Sequence, residues 1–542
     1  MNKLKYIISS VIVAASLTSC NDYLDINENP NSIHAENITP ELILPGAMAQ
    51  SYRAQAGDMM QFGNLMMNSW AGDVYHYGGL YPNEFSLSAV NSQFYDGIWD
   101  NIYQNVNNFV VIEKYPNGNH AQDKYVAMAK VMKAFYMQYI VDLYGDAPYT
   151  EAFKGQNNLA PKYDNDIDIY KSLITNLDEA VALIDLDNEA AVDPAGKDII
   201  FGGDMTKWKA FAYTVKLRFL LRMSNVTGDL ATYRNAQLSA LSTATGMGTG
   251  LMTADVIEKP GYSSADNDKL NPFAFNYFYN TTPAEVQNHI VITSSEHLAI
   301  ALNGNVEAST AAEYQKFNGV VDPRRFRLFT NVNYNGVQKV KGVRQGATSG
   351  QPGAPTDNQS VSKLAGGNLA GSGTFANAGQ LLTLANARGG VVMSLAEIKL
   401  LLAEASLRYP SLFTGGQTAF NAAISASATW LGVTAANTNN YLTLIAAKPG
   451  LGWTGTDAQK MEAIMTQKWL ALTNINPTEM YIEYNRTELP YNPVAVNAVK
   501  SRRPYRLVYP NSEFATNSAN VPNIGSDVVF TKNQYTPFWN QN

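Results

Sequence analysis

The chain has 542 residues, 46 % of them hydrophobic and 11 % aromatic, and carries a formal net charge of −7. That apolar share suffices for a sizeable core, whereas the acidic balance argues against nucleic acid or an anionic lipid surface as a partner. A single cysteine excludes an internal disulfide and any cysteine-rich zinc site.

That cysteine, Cys20, closes the run Leu17-Thr18-Ser19-Cys20 behind Lys3, Lys5 and the apolar stretch Ile7 to Ala15. A basic start, a short apolar run and small residues before a cut site describe a removable export signal. The run is too short to span a bilayer as a helix. The Leu-x-small-Cys order looks like a bacterial lipobox, so residues 1–19 are expected to be removed and Cys20 to carry lipid. The alternative is an ordinary secretory signal with a chance cysteine. Residues 20–40, acidic and rich in Asn and Pro, read as a lipidated tether.

From 41 to 542 the pattern is that of one mainly α body with little β structure. Residues 92–115 carry an apolar stripe through Phe94, Ile98, Trp99, Ile102, Val106, Phe109 and Ile112. Residues 121–144 carry another through Tyr125, Met128, Met132, Phe135, Tyr139 and Leu143, which Gly145 should end. The two predict a helical hairpin. A second pair is predicted over Ile167–Ile184 and Met205–Met223, and later helices through Leu395 to Ala405 and Met461 to Leu472. Paired helices of this kind suggest tetratricopeptide-like stacking, although no clean repeat period is visible. Two irregular excursions interrupt them, an Asn- and aromatic-rich stretch at 255–283 and a Gly/Ala/Ser/Asn-rich one at 341–390.

Motifs for chemistry are sparse. His34, His76, His120, His289 and His297 show no H-E-x-x-H spacing, and neither a G-x-S-x-G elbow nor a Walker loop is present. Gly246-Met247-Gly248-Thr249-Gly250 lacks the Lys-Ser/Thr of a phosphate loop and reads as a turn. Asp164-Asn165-Asp166-Ile167-Asp168 imitates the start of a calcium loop, but Ile169 and Thr175 occupy the positions that need Gly and a bidentate carboxylate. An acidic helix start is the better reading. No catalytic residue, metal ligand or cofactor is assigned, although a carboxylate pair brought together in space would escape this search.

Two aromatic clusters remain. Trp70, Tyr75, Tyr77 and Tyr81 lie in a Gly-punctuated stretch, and Tyr262, Tyr277 and Tyr279 accompany Phe273, Phe275 and Phe278 in the first excursion. Rings held off regular helix faces and flanked by Asn and Asp can stack on a sugar or a peptide. These seven residues are the expected ligand contacts. The competing reading makes them helix caps and core.

The ordered blocks of the chain resemble the SusD/RagB family, in its SusD-like branch. The lipobox is followed by Tyr23-Leu24-Asp25-Ile26-Asn27 and Asn29-Pro30-Asn31. Further in come Leu143-Tyr144-Gly145-Asp146-Ala147-Pro148-Tyr149, Trp208-Lys209-Ala210 and Asp322-Pro323-Arg324-Arg325. Gln467-Lys468-Trp469 and Arg502-Arg503-Pro504 complete the series. The resemblance implies four tetratricopeptide-like helix pairs with a loop-rich binding face. It also implies a lipid-anchored position on the outer-membrane surface and a SusC-like TonB-dependent transporter as partner. The expected ligand is an oligomeric nutrient, glycan fragments or else peptides, bound without being altered. Product release from an oligosaccharide would instead mark a surface glycoside hydrolase, and import that survives loss of the ligand site would mark a purely structural partner of the transporter.

Overall fold

A computed structural model describes residues 38–74, 76–186, 188–348 and 361–541. Cys20, the signal, most of the tether and Tyr75 lie outside these described residues.

The first hairpin pairs α3 (Gly97–Glu113) with α4 (Asp123–Tyr144), following α1 (Pro40–Ala54) and α2 (Met60–Met66). The second pairs α5 (Asp166–Asp185) with α6 (Met205–Arg222), which leads into α7 (Gly228–Ala244). After α8 (Glu296–Asn303) come the third pair, α9 (Leu395–Arg408) and α10 (Gly416–Trp430), then α11 (Ala435–Ile445) and the fourth pair, α12 (Asp457–Leu472) and α13 (Pro477–Thr487). These are the four expected tetratricopeptide-like pairs. Contacts of α4 with α5, α6 with α9 and α9 with α12 join them into one stack around a continuous core.

The boundaries follow local chemistry. Gly145 ends α4 with φ +74, a conformation that side chains resist. Asn165 accepts from the Ile167 amide, Asp204 from Lys207 and Ser394 from Glu397, and Thr456 and Gln459 close a capping box on α12. The acidic stretch at 164–168 is thus a helix start. Asp164 accepts from the Tyr149 and Thr150 amides, and Asp166 from the Phe538 amide at 2.8 Å.

Helix α4 shows a limit of the stripe pattern. Because α3 and α5 pack on it from different sides, nearly its whole circumference is buried, polar side chains included. Buried charges then find partners between helices. Arg222 on α6 donates to Asp142 on α4 at 3.1 Å and to Glu479 on α13 at 2.7 Å, and Arg486 on α13 makes a two-pronged pair with Glu404 on α9. Burial pushes the Asp142 carboxyl up to about 6 despite the opposing Arg222.

Strands are few and short. β1 (Trp70–Gly72) pairs antiparallel with β3 (Ile292–Ser294), β2 (Val256–Glu258) with β6 (Gly390–Met393), and β4 (Val332–Tyr334) with β5 (Val337–Lys339). The excursions are therefore more ordered than expected. The first contains β2 and a short helix at Pro272–Tyr277, and the described part of the second contains a helix at Ala378–Arg388. No helix among the described residues is long and apolar enough to cross a membrane.

Candidate functional site

The expected aromatic contacts divide on burial. Trp70 and Tyr277 are corrected from exposed loop rings to core rings. Trp70 is 0 % exposed on β1, packs against Tyr277 at 5.1 Å between centroids, and donates from Nε1 to Asn474 Oδ1 at 2.7 Å. The chain between α1 and α2 runs as a π-helical turn over Gln55–Met59, and Asn276 Nδ2 and the Tyr277 hydroxyl donate to the carbonyls of Ala56 and Gly57. Tyr277 is therefore spent on a backbone carbonyl of the turn, one that also accepts from the Met60 amide.

The other four described tyrosines are half-buried and do not converge. Tyr77 packs beside His76, Tyr81 against Phe85, and Tyr279 between His289 and Phe375. Tyr262 donates to the buried carboxylate of Glu258 and edges a small depression of about 160 Å³ beside Arg53.

The larger concavity lies elsewhere. A cleft of about 520 Å³ opens between α8, the short turn at Ala312–Phe317, the chain at 344–345 and the segment 491–496. Its volume falls within the range of small-ligand sites. Its floor is built by cross-chain hydrogen bonds. Gln345 Nε2 donates to the carbonyls of Leu65 and Trp70, Arg503 donates to Gln345 Oε1 and to the carbonyls of Asn492 and Pro493, and Asn68 Nδ2 donates to Pro493 O at 3.0 Å. Asn68 sits at φ +51, a left-handed conformation that Asn tolerates. Its buried Oδ1 has no hydrogen-bond partner among the described residues.

Two tyrosines form the walls. Tyr314 and Tyr491 meet edge to face, with centroids 6.0 Å apart and planes at 82°, and Tyr491 is 41 % exposed. Behind them His297 lies 2.9 Å from the Tyr314 hydroxyl and stacks on Trp469 at 4.8 Å, and Trp469 Nε1 donates to Ser69 Oγ. Burial, reinforced by Arg503 and Lys316, pushes His297 down to about 3, so the imidazole is neutral at physiological pH. Helix α8 presents His297 because Ser295 caps it by accepting from the Leu298 amide, while the Ser295 amide is itself held by Ser69 O.

Both carboxylates among the described residues that line the cleft are ion-paired. Arg344 donates to Glu296 at 2.6 Å, and Lys339 to Glu307 at 2.8 Å. An acid–base pair for glycoside hydrolysis needs one carboxyl free to deliver a proton; here both are committed to cations. The residues that reasoning from sequence missed are Asn68, His297, Tyr314, Arg344 and Tyr491. The only local signal was the Pro- and Asn-punctuated run Leu489-Pro490-Tyr491-Asn492-Pro493.

The fold is a stack of helix pairs that bears an aromatic-walled cleft. Residues 31–510 match the SusD-like family model described as "Starch-binding associating with outer membrane". The chain belongs to the SusD-like family, whose members are outer-membrane-associated binding proteins. None of the curated proteins matches it. Among solved structures it is similar to a chitin-binding protein, with 23 % identity, a TM-score of 0.65 and coverage of 93 % of this chain and 99 % of that one. It is also similar to a chitin-binding SusD homologue from Flavobacterium johnsoniae, with 20 % identity, a TM-score of 0.64 and coverage of 92 % and 98 %. A SusD-like protein from Bacteroides thetaiotaomicron gives 21 %, 0.65, and coverage of 88 % and 94 %. At these identities the likeness is one of fold.

Proposed function

We propose that the protein binds an oligosaccharide nutrient in the Tyr314–Tyr491 cleft and delivers it unaltered to a SusC-like TonB-dependent transporter, while lipid on Cys20 holds it at the outer-membrane surface. The observation that carries the reading is the pair of near-perpendicular tyrosine walls over a polar floor. A pyranose offers an apolar face to a ring and hydroxyls to polar lining groups such as Ser309 and Glu296, and this arrangement supplies both. The family assignment and the chitin-binding relatives favour a glycan over a peptide. Tyr77, Tyr81, Tyr262 and Tyr279 do not line this cleft.

The test is calorimetric titration of chito-, cello- and malto-oligosaccharides into the parent, Tyr314→Ala and Tyr491→Ala. Removing an anchor ring at a binding surface costs about 2 kcal/mol, roughly thirtyfold in affinity. The expected result is that weakening with the melting temperature of Tyr491→Ala unchanged, and recovery of the bound sugar intact. Affinity unchanged in both variants would move the site elsewhere.

A further inference from the structure

The charges around the cleft identify the class of ligand. Glu296 is paired with Arg344 on the rim, Glu307 with Lys339, and Lys316 below His297 with Glu462 at 2.7 Å. Two further charges act on the site. The buried Arg503 guanidinium lies beneath the floor with carbonyl and amide oxygens around it, and Glu313 acts electrostatically on both Tyr314 and Tyr491. Among the described residues the four acidic and four basic contributions leave no excess: three pairs cancel, and Arg503 is balanced by Glu313.

We infer that the cleft is built for uncharged oligosaccharides, and that the Glu296–Arg344 pair is the specificity device that excludes acidic ones. This rests on the cleft being the ligand site proposed above. A uronate or sulfated sugar needs an available cation, and a short peptide with free ends needs both an ammonium partner and a carboxylate partner. Arg344 is the exposed cation among the described residues that line the cleft, and Glu296 accepts from its Nε. To bind an anionic sugar the site must draw Arg344 away from Glu296 or hold the new negative charge beside that of Glu296, and like-charge repulsion opposes it. Neutral sugars ask only for ring faces and hydroxyl partners. Discrimination therefore comes from withholding a charge, with the attraction common to all sugars left to the tyrosines.

The experiment uses the mature chain and four probes: chitohexaose, maltohexaose, hexagalacturonate and an unblocked hexapeptide. Each is titrated at low and high salt, about 20 and about 500 mM NaCl, because ion pairing with an exposed cation is screened by salt whereas stacking is not. A neutral hexasaccharide should bind with less than about a twofold change between the two salts, and hexagalacturonate and the peptide should not bind detectably. In Glu296→Gln the freed Arg344 should confer hexagalacturonate binding at low salt, at least about tenfold above the parent, that high salt abolishes. Salt-sensitive binding of hexagalacturonate or the peptide by the parent, lost in Tyr491→Ala, would overturn this inference and leave the cleft standing as the ligand site. So would a Glu296→Gln variant, folded by its melting temperature, that gains nothing. Binding of a neutral sugar that neither tyrosine variant weakens, or no binding by a folded parent, would overturn the cleft itself and this inference with it.

Discussion

Glu258 shows how one buried side chain can tax the folded state. It lies on β2, is fully buried, accepts from the Tyr262 hydroxyl, and its second oxygen has no hydrogen-bond partner among the described residues. Burial lifts its carboxyl to about 8, against the opposing effects of Tyr262 and Arg53. Between the ordinary value of 4.5 and about 8, the folded protein holds a proton that the unfolded chain releases. The stabilising contribution is thus complete below 4.5 and is lost as pH rises through that window. Glu258→Gln keeps the acceptor for Tyr262 and removes the titration. In denaturant unfolding the variant should gain on the parent between pH 5 and pH 8 by on the order of 2 kcal/mol. Parallel pH profiles for the two would refute the assignment. Trp70 carries the complementary lesson. Its Gly-rich neighbourhood reads as an exposed loop, yet its indole is buried because its hydrogen-bond partner, Asn474, arrives from a segment 404 residues away.

At Gly63, α2 and the start of α13 come close enough for their backbones to touch. A Cβ built on Gly63 would lie 2.2 Å from the Thr478 amide nitrogen and 2.3 Å from the Pro477 carbonyl carbon, both backbone atoms that cannot yield by changing rotamer. Gly63→Ala must therefore push the two helices apart. We expect it to lower the unfolding free energy by about 1–3 kcal/mol, the usual cost of overpacking, measured as a shift in denaturant midpoint at constant slope. No shift would mean that the contact is looser than described. The long helices were legible because their stripes report local periodicity, and the Tyr125-to-Leu143 stripe with its Gly145 stop places α4 to within two residues. Loop rings carry no such record. Tyr314 and Tyr491 stand 177 residues apart in the sequence and meet only through the packing of α8 and the chain after α13. Their neighbours along the chain give no hint of it.

At the scale of the whole molecule, the ordered blocks made the family legible although no single block was specific, and the ligand was not legible because most of those blocks build helices and turns. Because Leu17-Thr18-Ser19-Cys20 resembles a lipobox, Cys20→Ala should move the protein from the membrane fraction to the soluble one and abolish acyl labelling. Unchanged fractionation and labelling would refute lipidation. The cleft is assembled from residues 68, 296–314, 344–345 and 491–496, its floor tied together by hydrogen bonds that reach from Leu65 to Arg503. Helix hairpins close contacts between near neighbours, and such contacts form early, whereas contacts across hundreds of residues form late. When the first two helix pairs have been made, Asn68 is the one lining residue of the cleft already present, and its other lining residues follow from 296 onward. On the proposed reading, a sugar held in this cleft reports that segments from the two ends of the chain have come together.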